Sequence, residues 1–154
     1  VIKGNDIKYN TEGTNFILSV EGEEVSIQTR LLGRHNVQNM LLAIGAAYHL
    51  GIRSKTIALG AKNIQPIEHR LELKKAGDFY IIDDAFNSNP VGAKNAVEIL
   101  SQFSSGRRII ITPGMVELGE IEYQENRKFG EAIAKAQLDK IIFGAGMPAV
   151  FVRS

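Results

Sequence analysis

Polar and apolar residues change their spacing along this chain, and each change marks a different kind of element. Near the start, Asn15-Phe16-Ile17-Leu18-Ser19-Val20 and Glu24-Val25-Ser26-Ile27-Gln28-Thr29 are β-type runs flanking Glu21-Gly22-Glu23, a hairpin signal. The second run alternates, which predicts a strand with one solvated face. From Asn36 to Leu50 the period becomes helical: Val37, Met40, Leu41, Ile44 and Tyr48 recur on one face, and Ala43, Ala46 and Ala47 permit close packing. Gly51 is placed to stop that helix. Ser54 is placed to cap a second helix reaching about Lys62, which Gln65-Pro66 ends.

Beyond Pro66 the pattern shifts to short apolar runs separated by helical stretches. Leu71-Glu72-Leu73 reads as a short strand, Gly77-Asp78 as a turn, and Phe79-Tyr80-Ile81-Ile82 as a strand buried on both faces. Asn89-Pro90 supplies an N-cap and a first helical residue for a helix to about Phe103. Strand Ile109–Ile111, a helix from about Ile121 to Ala136 and strand Lys140–Phe143 complete the series. The order β-α-β-α-β predicts an α/β, Rossmann-like domain. Its strands 79–82, 109–111 and 140–143 are expected adjacent in a mainly parallel sheet, with helices on both faces. A boundary near Pro66–Glu68 separates it from a preceding hairpin and two helices.

Composition narrows the class of partner. Eighteen basic and seventeen acidic residues leave a net charge of +1, so neither nucleic acid nor an anionic membrane is called for. The absence of cysteine excludes a disulfide framework and thiolate metal sites. No apolar run approaches 18 residues, hence no membrane-spanning helix is expected, nor does the start resemble a signal peptide. The chain begins at Val1 and stops at Ser154 soon after a strand-like run, and both ends read as cuts in a longer chain.

Chemistry concentrates in a few places. In Gly33-Arg34-His35-Asn36-Val37-Gln38-Asn39, Asn36 and Asn39 lie three apart at a helix start and project to one side. Their amides suit the donor–acceptor edge of an adenine, or Asn36 simply caps the helix. Arg70, in Glu68-His69-Arg70, offers a planar fork to a phosphate, or is a solvated surface residue. Asp83-Asp84-Ala85-Phe86-Asn87-Ser88-Asn89-Pro90 sits at the carboxyl end of a strand, directly before a helix. Open α/β sheets bind ligands there, although Asp and Asn also serve as turn and cap residues. His35, His49 and His69 have no partners at metal-ligand spacing. Gly144-Ala145-Gly146-Met147-Pro148-Ala149 imitates a dinucleotide fingerprint but contains proline and comes too late in the chain.

Taken in order, Gly33-x-His35-Asn36-x-x-Asn39, His69-Arg70-x-Glu72, Asp83-Asp84-x-Phe86-Asn87-x-Asn89-Pro90 and Met115-Val116-Glu117-Leu118-Gly119 resemble the Mur ligase family over nearly the whole chain. The third stretch is similar to that of the member joining D-alanyl-D-alanine to UDP-N-acetylmuramoyl-tripeptide in peptidoglycan precursor synthesis. The resemblance implies that residues 1–67 end a central ATPase domain and that residues 68–154 form most of a C-terminal Rossmann-like domain. It implies ATP binding by Asn36, Asn39, Arg70 and Asp84, and contact of Asn87 and Asn89 with the incoming substrate. The phosphate loop, the Mg²⁺-binding acids and the carbamylated lysine of the family are not present. They are expected in the rest of the same polypeptide, upstream, with no catalytic or metal-binding residue in this segment. These 154 residues are therefore expected to be inactive alone and the whole enzyme cytoplasmic. Pro113-Gly114 stand where the family often has Gly-Asp, so no role is carried over for that acid. Two alternatives stay open: another Mur-type amino-acid ligase, and a non-catalytic Rossmann-like binding module.

Overall fold

The computed structural model describes residues 1–86, 89–144 and, as backbone, 149–153. Asn87 and residues 145–148 of the fingerprint-like stretch lie outside the described residues. The chain divides into two units, Val1–Pro66 and Ile67–Ser154.

The first unit is an antiparallel sheet, order β1-β2-β3, formed by β1 (Ile2–Asn10), β2 (Gly13–Val20) and β3 (Glu23–Thr29). Two helices follow, α1 (Arg34–His49) and α2 (Ser54–Asn63). Glu21 and Gly22 both adopt positive φ, 47° and 89°, in a two-residue turn that pairs Val20 with Glu23. Positive φ at both central positions gives a turn whose twist matches that of the flanking strands. β1 escapes the sequence pattern because Gly4-Asn5-Asp6 interrupts its alternation. Its register shifts between Asn5 and Lys8, around a left-handed Asp6. Phe16, Leu18 and Ile27 from the sheet pack with Val37, Met40, Ile44 and Ile57 from the helices. Ser54 is not the cap expected from sequence. It is the first helical residue, and its hydroxyl donates to Glu23 Oε2 at 2.8 Å. That sheet–helix bond competes successfully with local capping.

The second unit contains β4 (Glu72–Ala76), β5 (Phe79–Asp83), α3 (Pro90–Gln102), β6 (Arg107–Thr112), α4 (Glu122–Lys135), β7 (Lys140–Phe143) and β8 (Ala149–Arg153). The α/β class holds, but the mainly parallel sheet does not. The strand order is β4-β5-β8-β6-β7, and only β6 and β7 pair in parallel. β8 enters between β5 and β6, antiparallel to both. A parallel return needs a crossover of about a dozen residues, whereas only residues 144–148 separate β7 from β8. β5, β6 and β7 still run in one direction, so their carboxyl ends share one edge of the sheet.

The expected cover on both faces is also corrected. Helices α3 and α4 pack against each other, which places both on one face. Ile82, Leu100 and Ile110 are buried there, while Phe79 and Ile142, which the register places on the opposite face, remain exposed. Full burial of a side chain such as Leu100 contributes roughly 1.5–3 kcal/mol. Leu71 does not begin β4. It lies just before the strand with a left-handed φ of 47° and is 2% exposed.

Candidate functional site

In the first unit, Gly33 is the N-cap of α1, with φ 96° and ψ 146°. Asn36 is therefore not the cap. Its Nδ2 donates to Leu32 O at 2.8 Å, which holds the half-buried amide against the chain entering the helix. Asn39 is exposed, one helical turn further on, and its amide has no hydrogen-bond partner among the described residues. The helix thus presents one oriented and one free amide along one side.

The second unit brings the other candidates to the carboxyl end of β5. Asp83 and Glu72 face each other across the β4–β5 pair, a repulsive arrangement unless a cation intervenes. Lys74 supplies it: Nζ lies 2.7 Å from Asp83 Oδ2 and 3.0 Å from Glu72 Oε2. The His69 ring joins the same Asp83 oxygen at 2.8 Å, and Ala85 N donates to Asp83 Oδ1 at 3.2 Å. Burial works to raise the Asp83 carboxyl, but the bonds from Lys74, His69 and the Ala85 amide prevail and hold it below the usual carboxylate range. Lys74 is shifted up by its bonds to Asp83 and then Glu72. Asp83 therefore serves the fold, a role its adjacency to Asp84 conceals in the sequence.

The sign of that shift gives a pH prediction. A depressed carboxyl stabilises the fold above its unfolded pKa of about 3.9 and loses that contribution as pH falls through the folded value. Asp83→Asn should accordingly be less stable than the parent at neutral pH, with the gap closing below about pH 4. Denaturant titrations between about pH 6 and 2.5 check this, and a gap that stays constant with pH contradicts it.

Asp84 turns differently. Its Oδ1 accepts from Leu71 N at 3.2 Å, and its Oδ2 lies 3.6 Å from where a Cβ on Gly92 would stand. The carboxylate thus faces the first turn of α3, where helix N–H groups favour negative charge. Asn89 caps that helix, its Oδ1 accepting from Val91 N at 3.1 Å and Gly92 N at 2.9 Å. The cap reading of Asn89-Pro90 is thereby observed.

Arg70 is exposed between two left-handed residues, His69 (φ 60°) and Leu71 (φ 47°). Such backbone costs on the order of 1–3 kcal/mol per residue and persists only where neighbours enforce it. Here His69 N donates to Glu72 Oε2, Arg70 N to Ile67 O, Leu71 N to Asp84 Oδ1, and Phe86 N to His69 O. The Arg70 guanidinium lies over the Phe86 ring, 4.4 Å from its centroid.

At the carboxyl end of β6, residues 113–118 form a loop secured by Asn126. Its Oδ1 accepts from Met115 N at 2.8 Å, and its Nδ2 donates to Met115 O at 2.7 Å and Glu122 O at 3.0 Å. Gly114 has φ 84°, and a Cβ there would meet Asn126 Oδ1 at 2.9 Å, which accounts for glycine in the Pro113-Gly114 departure. Asn126 went unnoticed in the sequence, though a polar residue on the face that carries Phe129 and Ile133 was a visible signal. Among the described residues no group of three His, Cys, Asp or Glu could hold a metal ion.

Comparison with known proteins adds the following. Residues 1–47 match the Mur ligase middle domain, and residues 69–149 match the Mur ligase, glutamate ligase domain. The UDP-N-acetylmuramoyl-tripeptide–D-alanyl-D-alanine ligase of Bacillus subtilis is 30% identical over 149 residues, 96% of this chain and 32% of that protein. A crystal structure of MurF from Acinetobacter baumannii superimposes with a TM-score of 0.77 at 28% identity, covering 91% of this chain and 31% of that one. MurF from Thermotoga maritima, solved in complex with ADP, shares the fold at TM-score 0.75 and 19% identity, over 92% of this chain and 32% of that one. The chain spans about a third of the length of the relatives it matches.

Proposed function

Because the chain belongs to the Mur ligase family, we propose that it is part of an ATP-dependent, ADP-forming ligase joining D-alanyl-D-alanine to UDP-N-acetylmuramoyl-tripeptide. The observation carrying this reading is the run Asp83–Pro90 at the carboxyl end of β5. There Asp84 faces the α3 N-terminus and Asn89 caps it, beside an Arg70 whose donors are available. Similarity to the D-alanyl-D-alanine-adding relative supports the choice of acceptor.

The reaction runs in two steps. The terminal carboxylate of the tripeptide attacks the γ-phosphorus of ATP, forming an acyl phosphate and releasing ADP. The amine of D-alanyl-D-alanine then attacks the acyl carbon, the amide forms, and phosphate leaves with the electron pair of the broken C–O bond. In such chemistry the protein contributes positioning and charge stabilisation. Asn36 and Asn39 take the adenine, Asp84 accepts from ribose hydroxyls, and Arg70 binds phosphate. Asn87 and Asn89 are the residues assigned by family resemblance to contact with the incoming dipeptide. Mg²⁺ finds no fitting cluster among the described residues, and its ligands belong to the rest of the polypeptide. Both substrates are water-soluble, in keeping with a cytoplasmic enzyme. No described helix is long and apolar enough to cross a membrane.

Phosphate release by the full-length enzyme, given ATP and the nucleotide-linked tripeptide, tests the proposal. Release should require D-alanyl-D-alanine and be absent with the 154-residue segment alone. Faster turnover with a single amino acid would favour another Mur-type ligase. Nucleotide binding without any turnover would leave the binding-module reading.

A further inference from the structure

We infer that Phe86 is a positioning residue for nucleotide binding, its ring fixing the plane in which the Arg70 guanidinium presents its donors. This rests on the assignment of Arg70 to phosphate made above.

The Phe86 side chain is 64% exposed, yet it is not an idle surface residue. The guanidinium carbon of Arg70 lies 4.4 Å from its ring centroid. A cation over an aromatic face is attracted by the ring quadrupole, and a planar guanidinium can stack there. A guanidinium stacked flat on the ring would have one face of its fork covered and its in-plane N–H donors left for a ligand, and none of those donors has an acceptor among the described residues. An anion approaching edge-on then meets a fork already oriented for bidentate contact.

Both partners of the stack are anchored through the backbone. Phe86 N donates to His69 O at 3.1 Å, tying the ring-bearing residue to the segment that carries Arg70. Arg70 N donates to Ile67 O at 3.2 Å, and the left-handed residues on either side limit how its Cα can turn. An unsupported arginine loses considerable rotamer freedom on binding phosphate. Here the ring has removed part of that loss beforehand, so the benefit should appear in nucleotide affinity rather than in the chemical step.

A double-mutant cycle in the full-length ligase tests this, reading KM for ATP and kcat separately. Phe86→Leu should raise KM for ATP about three- to ten-fold, with kcat within about two-fold. Phe86→Tyr, which keeps the ring, should restore the parental value. In an Arg70→Ala background Phe86→Leu should change KM no further, because its effect passes through the arginine. If Phe86→Leu fails to fold by thermal melt, Phe86→Met serves in the same cycle. Equal effects in both backgrounds, an effect confined to kcat, or no effect while Arg70→Ala raises KM would each overturn the positioning role alone. An Arg70→Ala enzyme with parental ATP dependence would instead remove the phosphate assignment, and this inference with it.

Discussion

Replacing Asp84 with alanine in the full-length ligase is expected to raise KM for ATP by about one to two decades. A hydrogen bond to a charged acceptor contributes roughly 1.5–3 kcal/mol, and each 1.4 kcal/mol is about tenfold. The carboxylate has two duties, which the test must separate. Oδ1 accepts from Leu71 N and helps hold that buried residue in left-handed backbone, while Oδ2 is directed toward the first turn of α3. Alanine removes both. Asp84→Asn keeps an oxygen for Leu71 N but loses the charge, so its melting temperature should stay close to that of the parent while KM for ATP still rises. Unchanged ATP dependence in both variants takes Asp84 out of the nucleotide site. A loss of stability in both with parental KM would make it a purely structural residue.

The largest effect on folding is expected from Gly13→Ala. Gly13 opens β2 with φ 120°, where side chains are rarely tolerated. A Cβ there would stand 2.1 Å from Thr29 O and 2.8 Å from Arg30 Cα, both backbone atoms of the chain leaving β3. A flexible side chain could move aside, but these atoms belong to a segment held by the pairing of Thr14 with Thr29. Strained backbone costs on the order of 1–3 kcal/mol and overpacking a further 1–3 kcal/mol. The sum, about 2–6 kcal/mol, is a large share of the roughly 5–15 kcal/mol that stabilises a typical domain. Denaturant unfolding should show a sharply lowered midpoint for the first unit. Gly22→Ala is the control: that glycine has φ 89° but nothing within 4 Å of a Cβ, so only the conformational penalty remains. Equal destabilisation by the two substitutions would show that the Thr29 contact carries no weight.

Local physics made much of this protein legible from its residues alone. Alternation in Glu24–Thr29, helical recurrence of Val37, Met40 and Ile44, and the pair Asn89-Pro90 each reflect interactions within a few positions, and each forms the expected element. The family was readable for the same reason, since its motifs are written in consecutive residues. Tertiary structure decided what depends on groups distant in sequence. Ser54 gave up capping for Glu23, and Asp83 became the partner of Lys74 and His69 while Asp84 took Leu71. The sheet became mixed because a free position between β5 and β6 was filled by β8, with a connection too short for a parallel return. Periodicity shows that a residue lies in a strand and which face it occupies. The neighbouring strand and the polar atom met across the gap follow from long-range pairing, which no local window contains.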